Sequence, residues 1–178
     1  LFTSLDLPFD GPTTKHCGSC TACIDICPTK AIVEPYMLDA RKCIAYLTIE
    51  YKGIIPEELR RGIGNRVFGC DDCQLICPWN GFAKKTTIED FNPRHGLDQM
   101  SLLDLWHWDE ATFLTCTEGS PIRRTGYQSF MRNIAIGLGN APFSNEIFIA
   151  LQQNRSLHDE IVQVHIDWAI AEQLNKKQ

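Results

Sequence analysis

The sequence predicts an α+β protein in which a small cysteine-rich module precedes an all-α helical-repeat segment. Two patterns indicate this division. Eight of the nine cysteines lie between positions 17 and 77, whereas apolar residues recur at helical spacings after residue 100. The length of 178 residues leaves room for one domain, or for a small module and a second packed element.

Residues 1–16 form the first segment, which proline and glycine punctuate. The chain opens at "LFTSLDLPFDGP" without a methionine, and we interpret 1–16 as the remnant of a preceding domain or linker. No basic-then-apolar leader begins the sequence, and no apolar run approaches the roughly 20 residues of a membrane-spanning helix. We therefore expect a cytoplasmic monomer with no membrane partner.

Residues 17–80 carry the clustered cysteines, for which two explanations compete. A secreted disulfide framework would favour an even number of cysteines and a signal peptide. The sequence has nine cysteines and no such leader. Metal or cluster ligation in a reducing cytosol is the better interpretation.

The first cysteine run, "CGSCTACIDICP", has the spacing C-x2-C-x2-C-x3-C-P. This is the bacterial ferredoxin pattern for [4Fe–4S] ligation, in which the fourth cysteine serves the other cluster. Zinc is the alternative, but tetrahedral zinc sites use pairs of cysteines that a longer loop separates. The spacing therefore predicts a ferredoxin-like module that holds two [4Fe–4S] clusters.

The second run, "CDDCQLICP", matches the last three positions of the same motif. Its leading position falls on Val67, which cannot ligate iron. Cys43 is the only unassigned cysteine nearby, and we expect it to complete the second cluster, whereas we expect Cys116 to be a buried core thiol. The predicted ligands are Cys17, Cys20, Cys23 and Cys77 for the first cluster, and Cys27, Cys43, Cys70 and Cys73 for the second.

A short helix is predicted between the two cysteine runs. In "IPEELRRGIGN", Pro56 stands at a first helical position, and Gly62 and Gly64 stand near the end. Residues 81–100 are polar and contain Pro93 and Gly96, so we expect a linker there.

The apolar pattern of residues 101–178 predicts helices of about ten to eighteen residues, joined by short turns. Expected signals at the helix ends are Asp109, a stop at Gly139-Asn140, Ser144, and Ser156 with Asp159 as an S-x-x-D cap. The last helix is predicted to present one apolar face of Ile161, Val164, His165 and Trp168. We expect a HEAT-like array, although no internal sequence period is visible.

Three stretches resemble the epoxyqueuosine reductase family. They are the first cysteine run, the segment "CIAYLTIEYKGIIPEELRRGIGNRVFGCDDCQLICPWN" and the later segment "SPIRRTGYQSFMRNIAIGLGN". The displaced Cys43 and "GCDDCQLICPWN" are the most specific motifs, and the resemblance covers nearly the whole chain. Members are cobalamin-dependent iron–sulfur enzymes that remove the epoxide oxygen of epoxyqueuosine in tRNA, giving queuosine. The resemblance implies that an external low-potential donor supplies electrons, which two [4Fe–4S] clusters deliver to cobalamin.

One departure from the family is large. The family places a cobalamin-binding domain, with an acidic proton donor, before the cysteine block, and that domain is not in this sequence. We therefore assign no catalytic acid and expect this chain to be inactive alone. The residues expected on the cobalamin side are Thr48, Glu50, Cys70 and Asp71; alternatively, Thr48 and Glu50 cap a turn or face solvent.

The net charge of −5 argues against indiscriminate nucleic-acid binding, because phosphate affinity comes mainly from summed basic contacts. A local patch is still possible, and the resemblance implies contact with a tRNA anticodon loop. The candidates are Arg123, Arg124, Tyr127 and Arg132, with Arg124 and Tyr127 sharing one helix face. The alternative is a solvated helix face. Two weaker basic candidates are the group Arg60, Arg61 and Arg66 and the pair Lys84 and Lys85.

Two other functions are compatible with the residues. The chain could be a ferredoxin module that feeds another corrinoid-dependent reductase. It could also be an RNA-binding helical protein whose clusters are structural. A bare ferredoxin would not need the helical segment that follows the cysteines, and structural clusters would not cycle at low potential.

Overall fold

The computed structural model describes residues 2–177 of the chain. The helices are α1 (Ala22–Ile26), α2 (Ile44–Ile49), α3 (Glu57–Ile63), α4 (Asp72–Leu75), α5 (Leu102–Trp106), α6 (Glu110–Cys116), α7 (Tyr127–Asn140), α8 (Asn145–Asn154) and α9 (Glu160–Lys176). Two short antiparallel strands, β1 (Ile32–Glu34) and β2 (Met37–Leu38), form a hairpin. The helix-rich character predicted after residue 100 is confirmed, and the HEAT-like repeat stays a prediction.

The cysteine-rich module consists of short helices and tight turns around the hairpin. Helix α1 packs against α4 and β1. Gly18 and Gly69, with φ of 54° and 77°, adopt the left-handed backbone that favours glycine, and each lies one residue from a cysteine. Because such turns replace long regular elements, the backbone can bring cysteines from both runs to the same place.

Helix α7 is the centre of the helical body and packs against α2, α3, α5, α6 and α9. Eleven of its fourteen residues are buried. Gly139 allows its close approach to α9, because a Cβ there would lie 2.7 Å from Trp168 Cζ3 and 2.9 Å from Ala169 Cα. A helix enclosed in this way has no polar face, so the charged residues within it must find partners in the core.

The hydrophobic core crosses the boundary that the sequence suggested between module and helical segment. Ile44, Leu47, Ile55 and Ile63 lie between the two cysteine runs, yet they join the core of the helical body. Residues 44–63 therefore connect the cysteines to α7 and α9. The predicted segments 17–80 and 101–178 describe the composition of the chain rather than two separate cores.

Most of the predicted helix ends are correct. Asp109 and Ser144 are N-caps as predicted, and α7 ends at Asn140. The cap predicted at Ser156 is wrong: Asp159 is the N-cap of α9, and its Oδ1 accepts from the Val162 amide at 2.9 Å.

The predicted apolar face of α9 is only partly correct. His165 and Trp168 are buried, but Val164 is 38% exposed and Val162 and Ile166 are buried instead. Contact with α7 sets this orientation. Cys116 at the end of α6 is half-buried rather than part of the core. Within residues 2–177 the structure contains no helix with the length and apolar character to cross a membrane.

Candidate iron–sulfur centre

Two neighbouring cavities divide the eight clustered cysteines between them. The first, of about 430 Å³, is lined by Cys17, Cys20, Cys23 and Cys77. The second, of about 320 Å³, is lined by Cys27, Cys43, Cys70 and Cys73, and Cys23 also reaches it. The last cysteine of each run thus lies in the cavity of the other run. The two cavities therefore group the cysteines as predicted, seven from the ferredoxin pattern and Cys43 as the remaining cysteine nearby.

The remaining walls of both cavities are largely apolar. The hairpin covers the second cavity with Ile32, Met37 and Leu38. Trp79 and Phe82 line the first cavity. An apolar shell restricts water around a cluster and so influences its reduction potential.

Hydrogen bonds prepare one thiol in particular for ligation. The Ala31 amide donates to Cys27 Sγ at 3.2 Å, and the Thr29 hydroxyl lies 3.8 Å from the same sulfur. Burial alone would raise the pKa of Cys27, but these hydrogen bonds outweigh it and lower the pKa of the thiol. These hydrogen bonds therefore favour the thiolate form of Cys27, which is the form that binds iron.

The thiols of the second cavity also affect one another. Burial raises the pKa of Cys73, and the neighbouring Cys70, Cys43 and Cys23 raise it further. Burial likewise raises the pKa of Cys70. Bound iron would supply the positive charge that allows these crowded thiols to ionise together.

The geometry favours a multi-iron cluster over zinc. A structural zinc site gathers four ligands within about 2.0–2.3 Å of one point. Within residues 2–177, no group of three or more His, Cys, Asp or Glu side chains is placed to hold a single ion. The cysteines instead surround spaces larger than one ion. The residues thus fit two [4Fe–4S] clusters, of which one would be held by Cys17, Cys20, Cys23 and Cys77, and the other by Cys27, Cys43, Cys70 and Cys73.

The residues expected on the cobalamin side have different environments. Asp71 is exposed beside Cys70, and Glu50 is exposed at the end of α2. The prediction that Thr48 lies on this surface is wrong, because Thr48 is fully buried. Its side chain points into the helical body, where the hydroxyl donates to the Ile44 carbonyl and accepts from the Gly69 amide.

Comparison with known proteins identifies the chain's relatives. Residues 16–80 match a family described as "4Fe-4S double cluster binding domain". An epoxyqueuosine reductase from Xanthomonas campestris is 58% identical over 172 residues, which are 97% of this chain and 48% of that protein. The epoxyqueuosine reductase of Escherichia coli K12 is 53% identical over 177 residues, covering 99% of this chain and 46% of that protein.

The chain belongs to the epoxyqueuosine reductase family. It spans about half the length of the curated relatives it matches. The solved epoxyqueuosine reductase of Bacillus subtilis has a TM-score of 0.78 at 31% identity, covering 93% of this chain and 44% of that one. A crystal structure of epoxyqueuosine reductase with an epoxyqueuosine-modified tRNA-Tyr stem loop has a TM-score of 0.70 at 26% identity, covering 93% and 52%.

The structure shows that the prediction of tRNA contact by Arg132 is wrong. Arg132 lies on the enclosed helix α7 and its exposed fraction is 0%. Its guanidinium donates only to groups in the core, among them the Leu47 carbonyl at 2.7 Å. The local sequence held a signal, because apolar residues flank the pair Arg132 and Asn133 on both sides.

The other RNA candidates lie on and beside an exposed turn. Arg123 and Arg124 are exposed in the 3-10 helix Pro121–Thr125. Gly126, with φ of 74°, ends that helix, so Arg124 and Tyr127 do not share a helix face as predicted. Tyr127 is half-buried, and its hydroxyl donates to the Trp108 carbonyl at 2.8 Å. The two arginines are therefore more accessible to a ligand than the tyrosine.

The alternative arginine group is largely engaged with the protein itself. Arg60 is buried, and its Nε donates to the Ile55 carbonyl at 2.9 Å. Arg61 pairs with Glu172 at 2.8 Å, and Arg66 pairs with Asp72 at 2.5 Å. These arginines join elements of the fold, which leaves the 123–124 turn as the better candidate surface.

Lys52 is a residue that sequence reasoning missed. Its Nζ donates to the carbonyls of Ile49, Arg124 and Thr125 at 3.0, 3.3 and 2.6 Å. It thereby attaches the arginine turn to the end of α2, the helix whose N-cap is Cys43. The Arg124 and Thr125 carbonyls lie 72 and 73 positions from Lys52, so no short motif could identify these contacts.

Proposed function

We propose that this chain supplies the electron-transfer and RNA-facing portion of an epoxyqueuosine reductase. The enzyme as a whole removes the epoxide oxygen of epoxyqueuosine in tRNA and yields queuosine. One observation carries the proposal: cysteines from both runs surround two adjoining cavities, in a chain 58% identical to an epoxyqueuosine reductase. Loss of an epoxide oxygen as water consumes two electrons and two protons, so the reaction needs a reducing system.

The cysteines provide that system with two adjacent sites. When bound, each [4Fe–4S] cluster carries one electron at a time. Cys23 lies on the walls of both cavities, and this shared wall places the two sites next to each other. The apolar linings restrict water, and the hydrogen bonds to Cys27 stabilise a ligating thiolate. An external low-potential donor would supply the electrons.

The proposed cobalamin face includes Glu50, at the end of α2, and Asp71, beside the second cavity ligand Cys70. Both carboxylates are exposed, and Asp71 follows the ligand Cys70 directly. They would contribute only part of a binding face, and most of the cobalamin site would come from outside this sequence. The role of Thr48 would be indirect because it is buried.

The proposed tRNA contact is the turn that carries Arg123 and Arg124. Guanidinium groups bind phosphates and stack on bases, and both side chains are exposed here. Lys52 holds this turn to α2, whose N-cap is Cys43. An RNA on the turn would therefore lie close to the second cluster. The solved relative with a tRNA-Tyr stem loop supports binding of an anticodon stem loop.

Two measurements test the proposal. The longer enzyme that includes this sequence, reconstituted anaerobically, should convert epoxyqueuosine to queuosine in tRNA when a low-potential reductant is present. Electrochemical titration of the same sample should show both clusters cycling at low potential. Cycling without conversion would favour a ferredoxin module of another corrinoid-dependent reductase, and clusters that do not cycle would favour a structural role in an RNA-binding protein.

A further inference from the structure

We propose that three buried polar residues, Arg132, Asn133 and Thr48, position the ligands Cys43 and Cys70 of the second cluster. We call this set the polar clamp. The proposal rests on the proposed function in one respect, the assignment of Cys43 and Cys70 as cluster ligands. Within residues 2–177 none of the three clamp residues lines either cysteine cavity. They are therefore positioning residues, acting through the backbone that carries the cysteines.

Arg132 uses every N–H of its guanidinium inside the protein. Nη1 donates to the carbonyls of Tyr51 and Gly53, both at 2.8 Å. Nη2 donates to the Leu47 carbonyl at 2.7 Å and to Asn133 Oδ1 at 2.9 Å, and Nε donates to the same oxygen at 3.1 Å. The carbonyls belong to the last turn of α2 and the turn after it. Arg132 thus fixes the C-terminal end of α2 to helix α7.

Asn133 and Thr48 extend the contact to the segment before Cys70. Asn133 Nδ2 donates to the carbonyls of Thr48 and Val67, both at 2.8 Å. Thr48 Oγ1 donates to the Ile44 carbonyl at 2.7 Å and accepts from the Gly69 amide at 2.9 Å. The Asn133 amide therefore joins α2 to the 67–69 segment, and Thr48 closes the same link from the other side.

These contacts lead directly to two of the four ligands of the second cavity. Cys43 is the N-cap of α2, so fixing that helix fixes its position. Cys70 follows Gly69, whose amide is held by Thr48 and whose φ is 77°. Of the other two ligands, Cys27 is the C-cap of α1 and Cys73 lies within α4, both in the cysteine module. Two ligands of the second cluster are thus positioned by the cysteine module, and the other two by contacts with the helical body.

The charge on Arg132 makes a purely stabilising role an incomplete explanation. Among the described residues, no carboxylate lies within ion-pair distance of this fully buried guanidinium. Burying a cation is costly, and apolar side chains of similar volume often serve stability as well or better. The carbonyls at the end of α2 offset this cost, since a helix C-terminus carries partial negative charge. What the guanidinium adds over an apolar side chain is directional attachment of α2.

A pair of threonines provides the test. Thr48 and Thr117 are both fully buried, and each hydroxyl donates to the carbonyl four residues earlier. Only Thr48 also accepts from a segment that leads to a cluster cysteine. Thr48→Val and Thr117→Val therefore remove the same local bond, and only the first removes the contact to Gly69.

The variants are made in the longer reconstituted enzyme, and a Cys43→Ala variant first assigns the electron paramagnetic resonance signal of the second cluster. We expect Thr48→Val to alter that signal and to release iron from the second cluster to a chelator roughly tenfold faster, the scale typical of outer-shell changes. The first cluster should be unaffected. Thr117→Val should leave both clusters unchanged, although its melting temperature should be comparable with that of Thr48→Val. Asn133→Leu should release iron from the second cluster faster than Thr48→Val does.

The outcomes separate this proposal from the function on which it rests. If Thr48→Val and Thr117→Val give the same cluster signal and the same iron release, the clamp has no positioning role. If Cys43→Ala keeps both signals and all its iron, the ligand assignment itself fails. If Cys43→Ala loses the second cluster but Thr48→Val has the signal and iron release of the parent, the polar clamp is refuted and the ligand assignment stands. Because Thr48→Val removes a single hydroxyl, the test does not depend on whether Asn133→Leu folds.

Discussion

The carboxylate of Glu50 lies 2.6 Å from the guanidinium of Arg124 and joins the end of α2 to the proposed RNA-binding turn. Helix α2 has six residues, with Cys43 as its N-cap and Glu50 as its C-cap, so only about 10 Å of helix separates the proposed cluster ligand from the residue that forms this ion pair. Both side chains are substantially exposed, and such a pair is weak enough for an RNA phosphate to compete for the arginine. The proposed electron path and RNA surface therefore meet at one short helix.

Replacing Arg123 and Arg124 with alanine should weaken tRNA binding by the longer enzyme. Each lost phosphate contact lowers the slope of log affinity against log salt by about one, so the double variant should lower it by about two. Filter binding or anisotropy over a salt series measures both effects. Arg155→Ala is the control, because Arg155 also belongs to an exposed ion pair, with Asp167. Equal affinities for the double variant and the parent at every salt concentration would show that the turn does not bind RNA.

Anaerobic reconstitution should load eight iron and eight sulfide per chain, as two [4Fe–4S] clusters require. Cys43→Ala should lose or degrade one cluster, because Cys43 lines the second cavity with Cys27, Cys70 and Cys73. The first cluster should keep its spectrum. Cys116→Ala is the matched control, since Cys116 is half-buried in α6 and lines neither cavity. Full iron content in Cys43→Ala would refute its role as a ligand.

Stability should depend on His165 between about pH 6.5 and 4. Its Nε2 accepts from the Ile55 amide at 3.1 Å, which requires a neutral ring, and burial lowers the pKa of His165 to about 4, with Arg60 and Arg132 adding to the effect. In the unfolded chain the His165 imidazole binds a proton near pH 6.5, whereas in the folded chain it stays neutral until about pH 4. Stability therefore falls as the pH decreases through this window.

The loss attributable to His165 should approach about 3 kcal/mol by pH 4, from 1.36 kcal/mol for each pH unit. His165→Gln keeps an acceptor for Ile55 and removes the titration. The difference in unfolding free energy between wild type and this variant, measured by urea titration at several pH values, should therefore shrink on acidification. A pH-independent difference would contradict the role of His165.

Gly139→Ala should destabilise the helical body by about 1–3 kcal/mol, the usual cost of overpacking. The added Cβ would lie 2.9 Å from Ala169 Cα, which is backbone and cannot move without shifting α9. Gly11→Ala is the control, because nothing lies within 4 Å of a Cβ at that position. Urea unfolding of both variants measures the difference, and equal stability would mean that α7 and α9 can separate at little cost.

Features that depend on nearby residues were readable from the sequence. The C-x2-C-x2-C-x3-C-P spacing predicted which cysteines would group together, because the geometry of a tight loop follows from a few consecutive residues. Asp109 and Ser144 were identified as caps for the same reason, since a side chain oxygen needs only an amide three residues away. The displaced Cys43 could be placed because every other cysteine nearby already had a position in the motif.

The tertiary structure alone decided which polar residues are buried. Arg132 and Thr48 have side chains compatible with a surface, and both were predicted to contact ligands. Helix α7 is enclosed by other elements, however, so Arg132 donates hydrogen bonds to carbonyls about eighty positions earlier. Thr48 accepts a hydrogen bond from the Gly69 amide, 21 positions later. Such partners are set by the packing of distant segments, because a buried polar group must be satisfied wherever the fold provides a partner. The apolar residues that flank Arg132 indicate burial, but local spacing does not identify which distant groups it contacts.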